Sequence, residues 1–171
     1  MPTPRKPGHK QARPSASTNA IELLKADHAE VKQLFEEYDA LVESEADDDA
    51  KKGLVENICT MLTAHSMIEE EIFYPAAREA LDEEAVMDEA DVEHADAKDL
   101  IEQIQGMEPD EPLYDAKVKV LGEYIVHHVK EEEGEMFPQV QKAGLDLNEL
   151  GAEMAGRKEE ILESIGAEAP H

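Results

Sequence analysis

Two His-x-x-x-Glu pairs, His65 with Glu69 and His128 with Glu132, stand 63 residues apart in a chain of 171 residues. An imidazole and a carboxylate four residues apart share one face of a helix, so each pair can aim a nitrogen and an oxygen at a common point. Two further histidines, His28 and His94, lie singly in segments that resemble one another. Together His28, His65, Glu69, His94, His128 and Glu132 offer four imidazoles and two carboxylates. This is donor chemistry for a divalent transition metal: mixed nitrogen and oxygen ligation of borderline hardness suits iron, and manganese and zinc fit the same donors.

The six residues recur in register with an internal repeat. DHAEVKQLFEEY (27–38) lies over EHADAKDLIEQI (93–104), and HSMIEEEIFYP (65–75) lies over HVKEEEGEMFP (128–138). The chain therefore reads as two copies of a helical hairpin, each giving a lone His from its first helix and a His-x-x-x-Glu from its second. A lone His on an apolar face is more often a hydrogen-bonded core residue than a ligand; four in paired positions are harder to explain that way. Buried carboxylates need a partner. Two of them on opposed helices can bridge a pair of ions, with the imidazoles as terminal ligands and one position open, so two metals are expected.

His127 and Glu131 have the same spacing as His128 and Glu132. The match between Pro75 and Pro138 selects the latter pair, leaving His127 and Glu131 as flanking groups and Glu70, Glu71, Glu133 and Glu135 as mainly solvated. Tyr124, Phe35, Phe73 and Phe137 read as packing; Tyr38 and Tyr74 read first as core or boundary packing, with donation of a hydrogen bond to a metal-bound species as the alternative; Cys59, Met61 and Met87 read as buried apolar groups.

The elements that must position these donors are helices. Ile21, Leu24, His28, Val31, Phe35, Tyr38 and Val42 form a first stripe at three- and four-residue steps, opening at Ser17 or Thr18 as N-cap. Ile58, Met61, Leu62, His65, Glu69 and Ile72 form a second, ending near Pro75 or running on with a kink towards Leu81. A third holds Met87, Ala90, His94, Ala97, Ile101 and Ile104 and stops before GMEPDEP. A fourth holds Leu113, Val120, Leu121, Tyr124, His128 and Glu132, with Pro138 at its end or at a bend. A shorter helix over about 147–165, with Leu150, Met154, Ile161, Leu162 and Ile165, lies across the others. No strand alternation occurs, so the fold is all-α: an up-down-up-down four-helix bundle with a short C-terminal fifth helix. Residues 1–17 are expected as a flexible basic tail, 18–142 as the bundle and 143–171 as the C-terminal helix and tail.

Composition narrows the partners. Sixteen Lys plus Arg against 42 Asp plus Glu give a net charge of −26. The body is therefore not expected to bind nucleic acid or an anionic membrane. No apolar run reaches the roughly 20 residues of a membrane span, and the single Cys59 suits a reducing compartment, so the expected location is cytoplasmic.

The segments ADHAEVKQLFEEY, HSMIEEEIFYP, VEHADAKDLIEQI and HHVKEEEGEMFP resemble the hemerythrin-like proteins, the HHE cation-binding family, over roughly residues 18–142. The resemblance implies a non-haem di-iron centre that binds dioxygen, nitric oxide or peroxide-like species, with ligand roles on the same six residues. Oxygen-carrying members of that family place another His one turn after the third-helix ligand, where this chain has Lys98, and a carboxylate five residues after the last His, where it has Glu133. With four histidines rather than five, the resemblance points to sensing, scavenging, stress response or iron handling more than to oxygen carriage. A di-iron oxidase or peroxidase, an iron-storage or cluster-repair protein, and a metal-free acidic bundle acting through partners are the alternative readings.

Overall fold

The computed structural model describes residues 19–82 and 84–168. The first helix, α1 (Ala20–Glu43), is capped by Asn19, whose side chain accepts from the N–H groups of Ile21 and Glu22 at 3.0 and 3.2 Å. Ser17 and Thr18, expected in that role, lie outside the described residues, as do the 1–17 tail and His171. α2 (Asp48–Ile68) opens on Asp47, which accepts from Ala50 N–H at 2.8 Å. It runs without a break through a π-helical turn, π1 (Glu69–Phe73), into α3 (Tyr74–Ala80). After α4 (Glu84–Gln105), the repeat returns: α5 (Tyr114–Glu131), π2 (Glu132–Met136) and α6 (Phe137–Lys142) form one continuous rod. α7 (Leu147–Glu168) packs on α1, α2 and π1.

Pro75 and Pro138 therefore do not end their helices, which run on to Ala80 and Lys142. Each follows a π turn in which the backbone N–H of the preceding residue bonds five residues back, Tyr74 to the carbonyl of Glu69 and Phe137 to that of Glu132. The widened turn makes room for a ring that an α-helix interior rejects.

The described residues form an all-α, up-down-up-down bundle. α1 lies against α2 and α5, and α4 lies against α5 and α2. Two apolar clusters fill it. One, with Leu24, Ile68, Phe73, Met87, Phe137 and Met154, is sealed by α7; the other holds Val31, Ile58, Leu62, Ile101, Tyr114 and Leu121. Fully burying each such side chain contributes about 2 kcal/mol. The histidine and carboxylate belt lies between the two clusters, so apolar packing on both sides fixes the helices that carry it.

The stripe on α5 differs from its expected register. Leu113, Val120 and Tyr124 are exposed, while Tyr114, Val118 and Leu121 are buried and Ile125 is half-buried. Leu121 and His128 belong to both possible stripes, and Ile125 fills the gap between them on the bundle side while Tyr124 turns to the rim. On α1, Leu34 rather than Phe35 is buried, and Val42 is exposed. Met61 is half-buried rather than buried.

Candidate metal centre

All six predicted donors are buried and converge: His28, His65, His94 and His128 are 6–8% exposed, Glu69 is fully buried and Glu132 is 1% exposed. They group in two sets around the carboxylates. His28 and His65 face one another with ring centroids 4.9 Å apart, and His94 and His128 at 4.8 Å. Between the two imidazole pairs stand Glu69 and Glu132. Glu69 lies 2.8 Å from His65 Nε2 and 3.5 Å from His94 Nε2, while Glu132 lies 2.9 Å from His128 Nε2 and 3.3 Å from His28 Nε2. Each carboxylate thus touches one imidazole of each pair. Donor atoms of Glu69, His94, His128 and Glu132 fall within 4.8 Å of one another, as do those of His28, His65 and Glu132.

The donors fit a cation better than they fit each other. His28 Nε2, His65 Nε2, both oxygens of Glu69 and Glu132 Oε1 are buried without a directed hydrogen bond, although several approach a neighbour closely. Leaving so many buried polar atoms unsatisfied is costly. Close but misaligned lone pairs are what atoms aimed at a common third point produce. His94 Nε2 and His128 Nε2, only 3.2 Å apart, show the same convergence.

A second ring of groups orients the imidazoles, and it obeys the repeat. Asp27 lies 2.9 Å from Nδ1 of His65; its counterpart Glu93 lies 3.1 Å from Nδ1 of His128. Glu133 lies 3.4 Å from Nδ1 of His28, and Glu70 stands 3.9 Å from Nδ1 of His94 while Lys98 holds it at 3.1 Å. Glu70 and Glu133, expected as mainly solvated, are thus two-thirds covered and turned to the lone histidines. Carboxylates on the far nitrogen of a ligating histidine fix its tautomer and ring orientation. Asp27 also receives an ion pair from Lys158 on α7.

Charge sets the protonation of this belt in the metal-free protein. Burial opposes a charged His65, but Glu69 beside it, the bond to Asp27 and the more distant Glu132 carry it up to about 10. Burial likewise opposes a charged His128, and Glu132, Glu69 and Glu93 raise it to about 9. Burial would raise Glu69, yet the charge and bond of His65 hold it well below the usual carboxylate range.

Tyr74, read first as packing and alternatively as a hydrogen-bond donor, belongs to the centre. Its hydroxyl donates to Glu132 Oε2 at 2.7 Å and lies 3.0 and 3.2 Å from Nε2 of His94 and His128. Burial, then the charges of Glu69 and Glu132, push its phenol well above the ordinary value. The repeat places Phe137 at the equivalent position, stacked 6.1 Å from His28. The two imidazole pairs are therefore unequal: one has a phenol beside it, the other a bare ring. Tyr38 is elsewhere, bonded to Asp115. The other expected flanking groups are at the surface: His127 is two-thirds exposed, and Glu131 lies 3.2 Å from it.

Beside the donors is a cavity of about 30 Å³, bounded on its far side by Val31, Leu62, Ala97 and Ile125. That is room for one or two water-sized molecules.

Comparisons with known proteins agree with this geometry. The chain is 28% identical to a hemerythrin HHE cation binding domain-containing protein from Mycobacterium kansasii, whose crystal structure matches with a TM-score of 0.71 over 85% of this chain and 88% of that one. It is also 27% identical over 153 residues to a protein of Nostoc sp. described as a DNA nickase; the match takes 88% of this chain but spans only 42% of that protein's length. The Hemerythrin HHE cation binding domain profile matches residues 19–140, and the chain belongs to that family.

Proposed function

We propose that the chain holds two iron ions between its helices and binds dioxygen, nitric oxide or a related small oxidant there, in sensing, scavenging or iron handling. The observation that carries this reading is two imidazole pairs bridged by two buried carboxylates with unsatisfied oxygens. His28 and His65 would hold one ion, His94 and His128 the other, with Glu69 and Glu132 between them. Iron in such a site supplies reversible electron transfer and an open coordination position. The surrounding residues do the rest: Asp27 and Glu93 hold the ring orientation of His65 and His128. Val31, Leu62, Ala97 and Ile125 line part of a cavity beside the donors with room for a diatomic molecule. The lone buried Cys59 suits a reducing, cytoplasmic setting. Among the described residues no helix is long and apolar enough to cross a membrane.

Protein purified air-free should contain two irons per chain, and its visible spectrum should change on adding nitric oxide and, separately, dioxygen. Absence of retained metal and an unchanged spectrum would overturn the reading. His65→Ala with His128→Ala should lose the iron.

One observation favours turnover: the Tyr74 hydroxyl, 2.7 Å from Glu132, is a hydrogen-bond donor inside the centre. Steady consumption of peroxide by the iron form, lost in Tyr74→Phe, would make the protein a peroxidase-like enzyme. The nickase activity of the Nostoc relative is not carried over, because a net charge of −26 opposes contact with DNA.

A further inference from the structure

The repeat allows the two halves to be compared position by position, and they differ on one flank of the centre. In the first half that flank is closed. Ala64 and Ile68 are fully buried, Leu23 and Ile72 pack against the same cluster, and α7 lies over them with Met154 and Ile161. The equivalent positions in the second half are His127, Glu131, Glu89 and Glu135. Four apolar residues are replaced by one imidazole and three carboxylates, and His127, Glu89 and Glu135 are exposed.

A small recess of about 10 Å³ opens there, bordered by Glu89, Glu93, Glu131 and Glu135 together with apolar side chains of α4 and π2, and reaching His128 and Glu132. At its rim, His127 Nε2 lies 3.2 Å from Glu131 Oε1 and 3.6 Å from Glu93 Oε2, and the three donor atoms fall within 4.8 Å of one another. Glu93 faces both ways: its other oxygen lies 3.1 Å from Nδ1 of the buried His128. At the inner end stands Glu132, 1% exposed, whose Oε1 lies 3.3 Å from Nε2 of His28 in the buried centre. A simple surface ion pair would need only His127 and Glu131, and would explain neither the divided Glu93 nor the recess that reaches Glu132.

We propose that Glu93, His127 and Glu131 form a separate, exchangeable divalent-cation site that loads the buried centre through this recess. It rests on the reading that the interior holds metal. Three mixed donors leave several coordination positions to water, so an ion is held loosely and can pass on. The large negative charge concentrates cations at such a cleft. In the first half the same route is closed by packed apolar side chains under α7, so loading proceeds from the second.

The test titrates full-length metal-free protein, air-free, with ferrous iron alone. Wild type should bind two irons tightly and one weakly. His127→Ala with Glu131→Gln should keep the tight pair, lose the weak ion and fill about tenfold more slowly, since focusing of cations governs the rate; His127→Gln alone should act in the same direction. Both residues lie on the outer face of α5, and circular dichroism checks that the helices persist. A double variant that retains the weak ion and fills at the wild-type rate overturns the proposal and leaves the buried centre standing. A wild type that binds only the weak ion, lost in the double variant, sinks the buried centre and with it the loading role.

Discussion

Glu69 and Glu132 carry the problem that the rest of the molecule resolves: two carboxylates away from water, each between two imidazoles. Without metal, protons take the cation's place. His65 and His128 are raised to about 10 and 9, above the ordinary value of about 6.5. Their contribution is thus fully present below about pH 6.5 and is lost as the pH climbs through 9 to 10. Glu69 is held below its ordinary range, so its contribution is present above that range and fades in acid. The urea midpoint of the metal-free protein should therefore fall on both sides of neutrality. Because ligands must shed protons to bind a cation, loading iron near pH 7 should release about two protons per chain, measurable with an indicator dye in weak buffer. Tyr74→Phe removes the hydroxyl that Glu132, His94 and His128 share and makes the two halves alike at that position. It should cost about 1–3 kcal/mol of metal-free stability. It should also alter the spectrum of the metal-loaded protein, because only one of the two imidazole pairs loses a neighbour.

At the scale of elements, the two π turns and α7 matter most. On an unbroken α-helix, Tyr74, nine residues after His65, would point about 180° away from it. The wider turn over Glu69–Phe73 brings the residue five after Glu69 back onto its face, which is how Tyr74 reaches the centre and Phe137 reaches His28. α7 contributes from outside the bundle. Lys158 pairs with Asp27, which is 3% exposed and holds His65. Lys158→Met leaves that carboxylate with one partner fewer. A loss of about 2 kcal/mol in denaturant unfolding is expected, the usual size for a hydrogen bond to a charged group. Iron affinity should weaken at the pair containing His65 before the other. Equal weakening at both would show that α7 acts only by general packing.

The molecule as a whole is a strongly acidic body built around a cation site, and its stability should reflect both facts. At a net charge of −26, self-repulsion works against the compact state, so the metal-free protein should gain melting temperature as salt is raised. Iron bound to the folded state alone should add about 4 kcal/mol at a free concentration a thousand times Kd. The melting temperature should rise accordingly and fall back when a chelator is added. A melting curve indifferent to iron and chelator would leave the buried donors without their cation.

The helical class, the duplicated hairpin and the inward set of six donors were legible in the sequence because they depend on period and repetition, which linear order carries. His28, His65 and His94 each recur among apolar residues at helical spacing, and Pro138 against Pro75 separates His128 from His127. Other features depended on the distance between segments far apart in the chain. Asp27 reaches His65 across 38 residues, Lys158 reaches Asp27 across 131, and Glu93 reaches His128 across 35. Between the two readings open for Tyr74, packing or a hydrogen bond at the centre, a local change of helical pitch decided, because it altered which face the residue occupies. The repeat already sets polar residues around His127 against apolar ones in its twin, but that α7 covers the twin and leaves the His127 flank open was decided only by tertiary packing, since burial depends on what lies opposite a residue and not on its neighbours in the chain.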